Sequence, residues 1–291
     1  MSMTRRNFLI SSATLAGSAL FALAGCGNSG SGSGSAKTDA ASASASTAAA
    51  ADTSDQITTL TVGFDQAYPP YGFVGDDGQF TGFDLDLAAE VCKRDGWEIK
   101  LEPIDWDAKD TLLNSGAITC IWNGFTMEGR ENDYTFSEPY MLNGQVVVVK
   151  KDSGIASLAD LAGKTVITQT DSAAQEVLEG DKKDLAATFQ QLETIGDYNT
   201  AFMQLESGAV DAVACDLSIA QYQLAAKPDA YTQLSEALSS EHYAVGFKKG
   251  SQKLADKVTD TLKAMNADGF VKTLCDKYAS YGISYDNWQL K

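Results

Sequence analysis

Two stretches of this chain repeat one pattern. Leu113-Asn114-Ser115-Gly116-Ala117-Ile118 leads into an apolar run ending at Trp122, and Leu205-Glu206-Ser207-Gly208-Ala209-Val210 leads into one ending at Cys215. In each, a helical leucine precedes a glycine, the residue that most readily takes the left-handed turn ending a helix. The apolar run that follows reads as a buried strand. A helix–glycine–strand unit used twice predicts two similar lobes, each with its own sheet. The remaining pattern agrees. Leu60-Thr61-Val62-Gly63-Phe64 alternates like a half-buried strand, and Phe83, Leu87 and Val91, backed by Ala88 and Cys92, recur at helical spacing as far as Gly96. Ile99 and Leu101 alternate again, and Leu112 and Leu113 lie on a helix closed by Gly116. Strand and helix signals in alternation predict an α/β fold with mostly parallel sheets. Ligands of such sheets bind beyond the carboxyl ends of the strands. The loop Asn123-Gly124-Phe125-Thr126 and Asp216 are therefore the first candidates for a site.

The N-terminal part has a different character. Arg5 and Arg6 precede an uncharged run of apolar and small residues, Asn7 to Gly25, which ends in Leu23-Ala24-Gly25-Cys26. A basic start, a modest apolar stretch and small residues before a cut describe an export signal over residues 1–25. The run is too weakly apolar for a stable spanning helix, and nothing after it reaches ~18 apolar residues. The Leu-Ala-Gly-Cys ending resembles a lipobox, in which Cys26 takes lipid and becomes the mature N-terminus. Thr4-Arg5-Arg6-Asn7-Phe8-Leu9 resembles a twin-arginine signal, although Ile10 stands where that pattern has lysine; the general export route stays open beside it. Residues 26–55 are almost all Ser, Ala, Gly and Thr. Such a segment cannot bury a core and reads as a flexible tether with a root-mean-square reach of about 30 Å. The expected location is the outer face of the cytoplasmic membrane, lipid-anchored.

Formal net charge is −17, from 22 Lys and Arg against 39 Asp and Glu. That balance repels phosphate backbones, so nucleic acid is excluded as a partner. Cys92, Cys120, Cys215 and Cys275 show no C-x-x-C spacing and His242 is the only histidine, which argues against a zinc site. Gly163-Lys164-Thr165 ends like a phosphate loop, but Leu158 occupies the place of its first glycine. Asp84 and Asp86 lack the rest of a calcium loop and are expected to cap and charge the first turn of a helix.

The stretch DQAYPPYGFVGDDGQFTGFDLDL from Asp65 to Leu87, followed by NGFTMEGR, FSEPY, DLAGKTV and SGAVDAVACD, carries a family signature. Over about Leu60 to Tyr281 the chain resembles the solute-binding proteins of polar amino-acid ABC importers, family 3, with the type II periplasmic-binding fold. The resemblance implies lobe 1 at 56–139 plus 244–291, lobe 2 at 145–238, and a hinge at 140–144 and 239–243. It also implies a monomer without cofactor or metal, which closes on a free amino acid and presents it to an ABC permease. For the ligand carboxylate it implies Arg130, with Thr126 and the amides of Ser172 and Ala173; the loop from Thr126 to Arg130 is one residue shorter than the family's. For the ammonium it implies Asp216 and the Gly124 carbonyl, and for the stem the flat walls of Tyr68 and Trp106. The side-chain tip would reach Asp65, with Gln169 adding a neutral donor and acceptor. A carboxylate there favours an amide, guanidinium or ammonium tip and disfavours glutamate or aspartate. The expectation leans to glutamine over arginine or lysine, because no second acid is identified in the sequence. Some proteins of this fold are dehydratases and others are sensors. The first reading needs an acid–base pair and the second a transmembrane signalling segment, and the sequence displays neither.

Overall fold

The computed structural model describes residues 57–291. The expectations for the export signal, Cys26 and the tether lie outside the described residues.

The chain begins with β1 (Thr59–Phe64), β2 (Ala67–Tyr68), β3 (Gly72–Val74), β4 (Phe80–Thr81), α1 (Phe83–Asp95), β5 (Glu98–Pro103), α2 (Lys109–Ser115), β6 (Cys120–Ile121) and β7 (Tyr134–Phe136). It continues through β8 (Met141–Lys150), β9 (Thr165–Gln169), α3 (Ala173–Glu179), α4 (Lys183–Ala186), β10 (Gln191–Ile195), α5 (Tyr198–Ser207), β11 (Ala212–Asp216), α6 (Leu217–Ala226) and β12 (Tyr231–Gln233). It returns through β13 (Ser239–Tyr243) and β14 (Gly246–Lys248) to α7 (Gln252–Ala267) and α8 (Phe270–Lys277).

Two principal sheets result, in the orders β5-β1-β6-β14-β7 and β10-β9-β11-β8-β12, with a small third sheet β2-β3-β4. Strands β5, β1 and β6 are parallel, as are β10, β9 and β11. Antiparallel strands join each parallel core where the chain passes between lobes or returns: β14 beside β6 and β7, and β8 beside β11 and β12. Helical crossovers make these strands parallel: α1 leads from β1 to β5 and α3 with α4 from β9 to β10, while the repeated units supply the other two, α2 into β6 and α5 into β11. Both units are present. Gly116 (φ 81°) and Gly208 (φ 78°) close α2 and α5 in the left-handed region, and β6 and β11 follow them. Val146, Val147, Val148 and Val149 are all buried, as expected of a strand covered on both faces. Each such side chain contributes about 1.5–3 kcal/mol relative to exposure. The four cysteines of this part are buried and unpaired.

Two crossings connect the sheets. β13 lies antiparallel to the first half of β8, from Ser239↔Gln145 to Tyr243↔Met141. The strands approach so closely that a Cβ at Gly144 would lie 2.6 Å from the Ser239 carbonyl oxygen. The C-terminal segment closes over the same place. Trp288 packs on Tyr140 with ring centroids 5.8 Å apart, and the Gln289 amide donates to the Tyr140 carbonyl at 2.9 Å.

Candidate functional site

Arg130 sits in a turn after β6, its amide donating to the Met127 carbonyl at 3.1 Å. Its guanidinium stacks 4.9 Å from the Phe125 ring centroid and is 5% exposed. Nη1 donates to the Thr126 carbonyl at 3.3 Å, Nη2 to the Asp171 carbonyl at 3.4 Å, and Nε and Nη2 both donate to Glu176 Oε1 at 3.1 and 2.7 Å. Glu176 and Asp171 belong to the second lobe, so the arginine bridges the two. Asp171 is the one non-glycine residue with φ in the left-handed region (55°) among the described residues. That conformation, costly for most side chains, accompanies a carbonyl that also receives Trp106 Nε1 at 3.1 Å and Lys109 Nζ at 3.5 Å.

Asp216 ends β11 and precedes α6, yet its side chain makes no capping bond. Instead Oδ1 accepts from Asn143 Nδ2 (3.0 Å), Gln145 Nε2 (2.8 Å) and the Tyr243 hydroxyl (2.8 Å). Burial raises its pKa, while the Tyr68 and Tyr243 hydroxyls, the Gln145 amide and the charge of Arg130 act in the other direction. Tyr68 lies against Tyr198 with centroids 6.0 Å apart, and its hydroxyl pairs with that of Tyr243 at 3.3 Å. Gly124 adopts φ 58° under these rings; a Cβ there would lie 3.0 Å from Tyr243 Cε2 and 3.2 Å from Tyr68 Cε1. The Thr126 hydroxyl donates to Glu241 Oε1 at 2.8 Å. The Ser172 hydroxyl accepts from the Gln175 amide at 3.2 Å and pairs with Thr168 Oγ1 at 3.1 Å, and Ala173 opens α3.

Asp65 follows β1 and is 6% exposed. Its Oδ1 accepts from the Ala67 amide and its Oδ2 from Gln169 Nε2, both at 2.7 Å, and Gln169 also donates to the Gly196 carbonyl at 2.9 Å. Burial raises the pKa of Asp65, and the charges of Asp197 and Asp105 raise it further. Asp65, Asp105, Trp106, Thr170, Gly196 and Asp197 line a cavity of about 510 Å³ between the lobes.

Asp84 and Asp86 both lie in the first turn of α1, as expected, but neither caps it, since the N-cap residue is Gly82 and no side chain makes a capping bond; Asp84 serves a different purpose. It is fully buried, and its Oδ2 accepts from the Gly124 amide at 2.6 Å and the Tyr140 hydroxyl at 2.7 Å. It fastens α1 to the Gly124 loop because those two donors converge on it. Sequence reading missed Asn143, Gln145 and Tyr243, which donate to Asp216, and Glu241, which accepts from the same two amides. One signal was available: Asn143 and Gln145 are polar residues two apart in a strand that continues as four valines. Such spacing puts both on one face.

The chain matches the bacterial extracellular solute-binding proteins, family 3, over residues 60–281. It is 31% identical to the L-cystine-binding protein TcyJ of Escherichia coli K12 across 76% of this chain and 82% of that protein. A substrate-binding protein of an ABC uptake transporter from Streptococcus pneumoniae, solved with bound histidine, superposes with TM-score 0.74 at 31% identity, over 78% of this chain and 95% of that one. An ancestral arginine-binding protein bound to arginine gives TM-score 0.70 at 34% identity, over 76% of this chain and 98% of that one. The two-lobed fold, the extent of the family match and these relatives place the chain among the family 3 bacterial extracellular solute-binding proteins.

Proposed function

We propose that this protein captures a free L-amino acid with a positively charged side-chain tip between its lobes and delivers it to an ABC permease when the lobes close. The carrying observation is a buried guanidinium and a buried carboxylate brought into one site from different lobes, Arg130 and Asp216. A zwitterion needs that pair: a planar donor for its carboxylate and an acceptor for its ammonium. Thr126, Ser172 and Ala173 border the carboxylate end, Gly124 the ammonium end, and Tyr68 and Trp106 the stem. Asp105 and Asp197 supply the second acid that a cationic tip at Asp65 requires, with Gln169 beside it. This favours a guanidinium or ammonium tip over the neutral amide of glutamine, and over the far end of cystine, whose ammonium stands beside a carboxylate. Among the similar proteins, one is solved with arginine bound, which has such a tip, while others are solved with histidine or named for cystine. The reading is one of binding without conversion. Anchoring through a lipidated Cys26 on the outer face of the cytoplasmic membrane, as a monomer, completes the proposal.

The test is calorimetric titration with arginine, lysine, cystine, histidine, glutamine and glutamate, on wild type, Arg130→Ala, Asp216→Ala and Asp65→Asn. Arginine or lysine should bind best and glutamate worst. Each alanine variant should lose about 2–5 kcal/mol by leaving one ligand charge unpaired, roughly 30-fold to several thousand-fold in Kd. Asp65→Asn should erase the preference for positive tips. Wild-type affinity in either alanine variant, or equal binding of glutamate and arginine by wild type, defeats the assignment.

A further inference from the structure

Glu241 has no place in the ligand shell described above, yet it is 2% exposed and lies on β13, the return crossing between the lobes. Its Oε1 accepts from Gln145 Nε2 at 2.7 Å, Asn143 Nδ2 at 2.8 Å and the Thr126 hydroxyl at 2.8 Å, and Ser239 Oγ donates to its Oε2 at 3.3 Å. The same two amides also serve Asp216 Oδ1, at 2.8 and 3.0 Å. Two side chains, each shared by the same two carboxylates, hold those acids as a pair. Their oxygens can be no further apart than the two bonds through Gln145 allow. Two buried carboxylates this close cannot both ionise cheaply, because each disfavours the charge of the other.

The surroundings do little to offset that repulsion. From β8 the pair meets neutral Asn143 and Gln145. Tyr68 of β2, Tyr71 after it, Tyr198 of α5 and Tyr243 of β13 are phenols whose pKa values are all raised by burial, and Asp216 raises each of them further. Ser218 of α6 reaches only the Tyr243 hydroxyl, at 3.1 Å. Neighbouring His242 is directed to Glu128, with Nδ1 2.7 Å from its carboxylate. Cys215, next to Asp216, is held as a thiol by burial. The charge of Arg130 does favour the ionised Asp216, but that guanidinium is itself engaged with Glu176.

We propose that Asp216 and Glu241 share one proton when no amino acid is bound, and that the ligand's ammonium expels it to solvent, so that capture releases a proton. The inference rests on the reading of Asp216 as the ammonium partner. Asp216 touches the ligand, whereas Glu241 is a positioning residue that acts through the shared amides. Burial, followed by the charge of Asp216, pushes the Glu241 carboxyl up to about 7, so the exchange falls near neutrality. The ammonium brings positive charge to Asp216 and stabilises the doubly ionised pair. Affinity therefore rises with pH through the neutral range and levels off once the free pair has lost its proton. For one proton the limiting slope is about tenfold in Kd per pH unit.

The experiment adds an equimolar mixture of the twenty common L-amino acids and cystine, adjusted to the protein's pH, to weakly buffered protein containing a pH indicator. Thermal shift reads binding independently. Up to one proton per molecule should appear between pH 6 and 7.5, declining towards zero by pH 8, before the α-ammonium groups of the ligands themselves deprotonate appreciably. Glu241→Gln should release no proton, and any affinity it keeps should be flat across that range. Absence of a thermal shift sinks the amino-acid reading and this inference with it. A thermal shift without proton release, or a Kd in wild type that does not move between pH 6 and 8, sinks this inference alone. If Glu241→Gln does not fold, the wild-type proton count and pH profile decide. A folded variant with weakened binding but the wild-type pH slope would assign Glu241 a merely structural role.

Discussion

Asp84 carries a cost that pH can reveal. One of its oxygens, Oδ1, is buried without a hydrogen-bond partner, and burial pushes the carboxyl up to about 7 from an ordinary value of 3.8. The folded protein therefore binds this proton more tightly than the unfolded chain does. The stabilisation is fully present below the unfolded value, near pH 4, is lost as pH rises towards 7, and is flat beyond. Glu241 acts in the same direction. The protein without added amino acid should melt at a higher temperature at pH 5 than at pH 8, with these groups contributing on the order of 2–4 kcal/mol. Asp84→Asn keeps an acceptor for Gly124 and Tyr140 and should flatten part of that decline. Differential scanning calorimetry across pH 4–8 checks this; a melting temperature that climbs steadily to pH 8 in wild type, or an unchanged profile in the variant, counts against it. Asp84 also marks a limit of sequence reading. Its helix position was legible, but the two donors that bury it come from residues 40 and 56 positions away.

At the scale of elements, the two crossings are the most demanding part of the fold. β8 and β13 approach within a distance that admits only glycine at position 144. Gly144→Ala must move the Ser239 carbonyl, at about 1–3 kcal/mol for overpacking. Because Gln145 and Asn143 flank the altered residue, the variant should also bind its amino acid at least several-fold more weakly than wild type. Chemical denaturation and calorimetric titration together check this, and a variant with both wild-type stability and affinity would show that the strands are free to separate. The repeated helix–glycine–strand units were readable because their signals are local: a leucine stripe, a glycine stop and an apolar run. The antiparallel strands β8, β13 and β14 were not, since their pairing partners lie far away in sequence and an all-apolar run does not disclose its direction. The proposed site divides in the same way. Arg130 and Asp216 stand in motifs that single them out as candidates, whereas Glu241, Asn143 and Gln145 become a network only when both crossings lie side by side.

For the whole molecule, the folded part bears on the proposed anchor and on the proposed membrane partner together. Cys26→Ser should shift the protein from the membrane fraction to the soluble fraction and leave the unprocessed leader in place, read by fractionation and intact mass. A variant as firmly bound and as fully processed as wild type would exclude lipid at Cys26. The charge of −17 then makes tethering useful, because an acidic protein gains nothing from anionic headgroups and needs a covalent hold. β8 is a single strand of ten residues that serves as a crossing over its first half and as an interior strand of the second sheet over the rest. Asn143 and Gln145, which grip Asp216, are part of that axle. Any rotation about the crossing turns their amides with it, so gauge and axle share one backbone. A dye pair reporting the angle between lobes and an amide resonance from Gln145 should then trace the same time course, with no lag from which to order grip and swing.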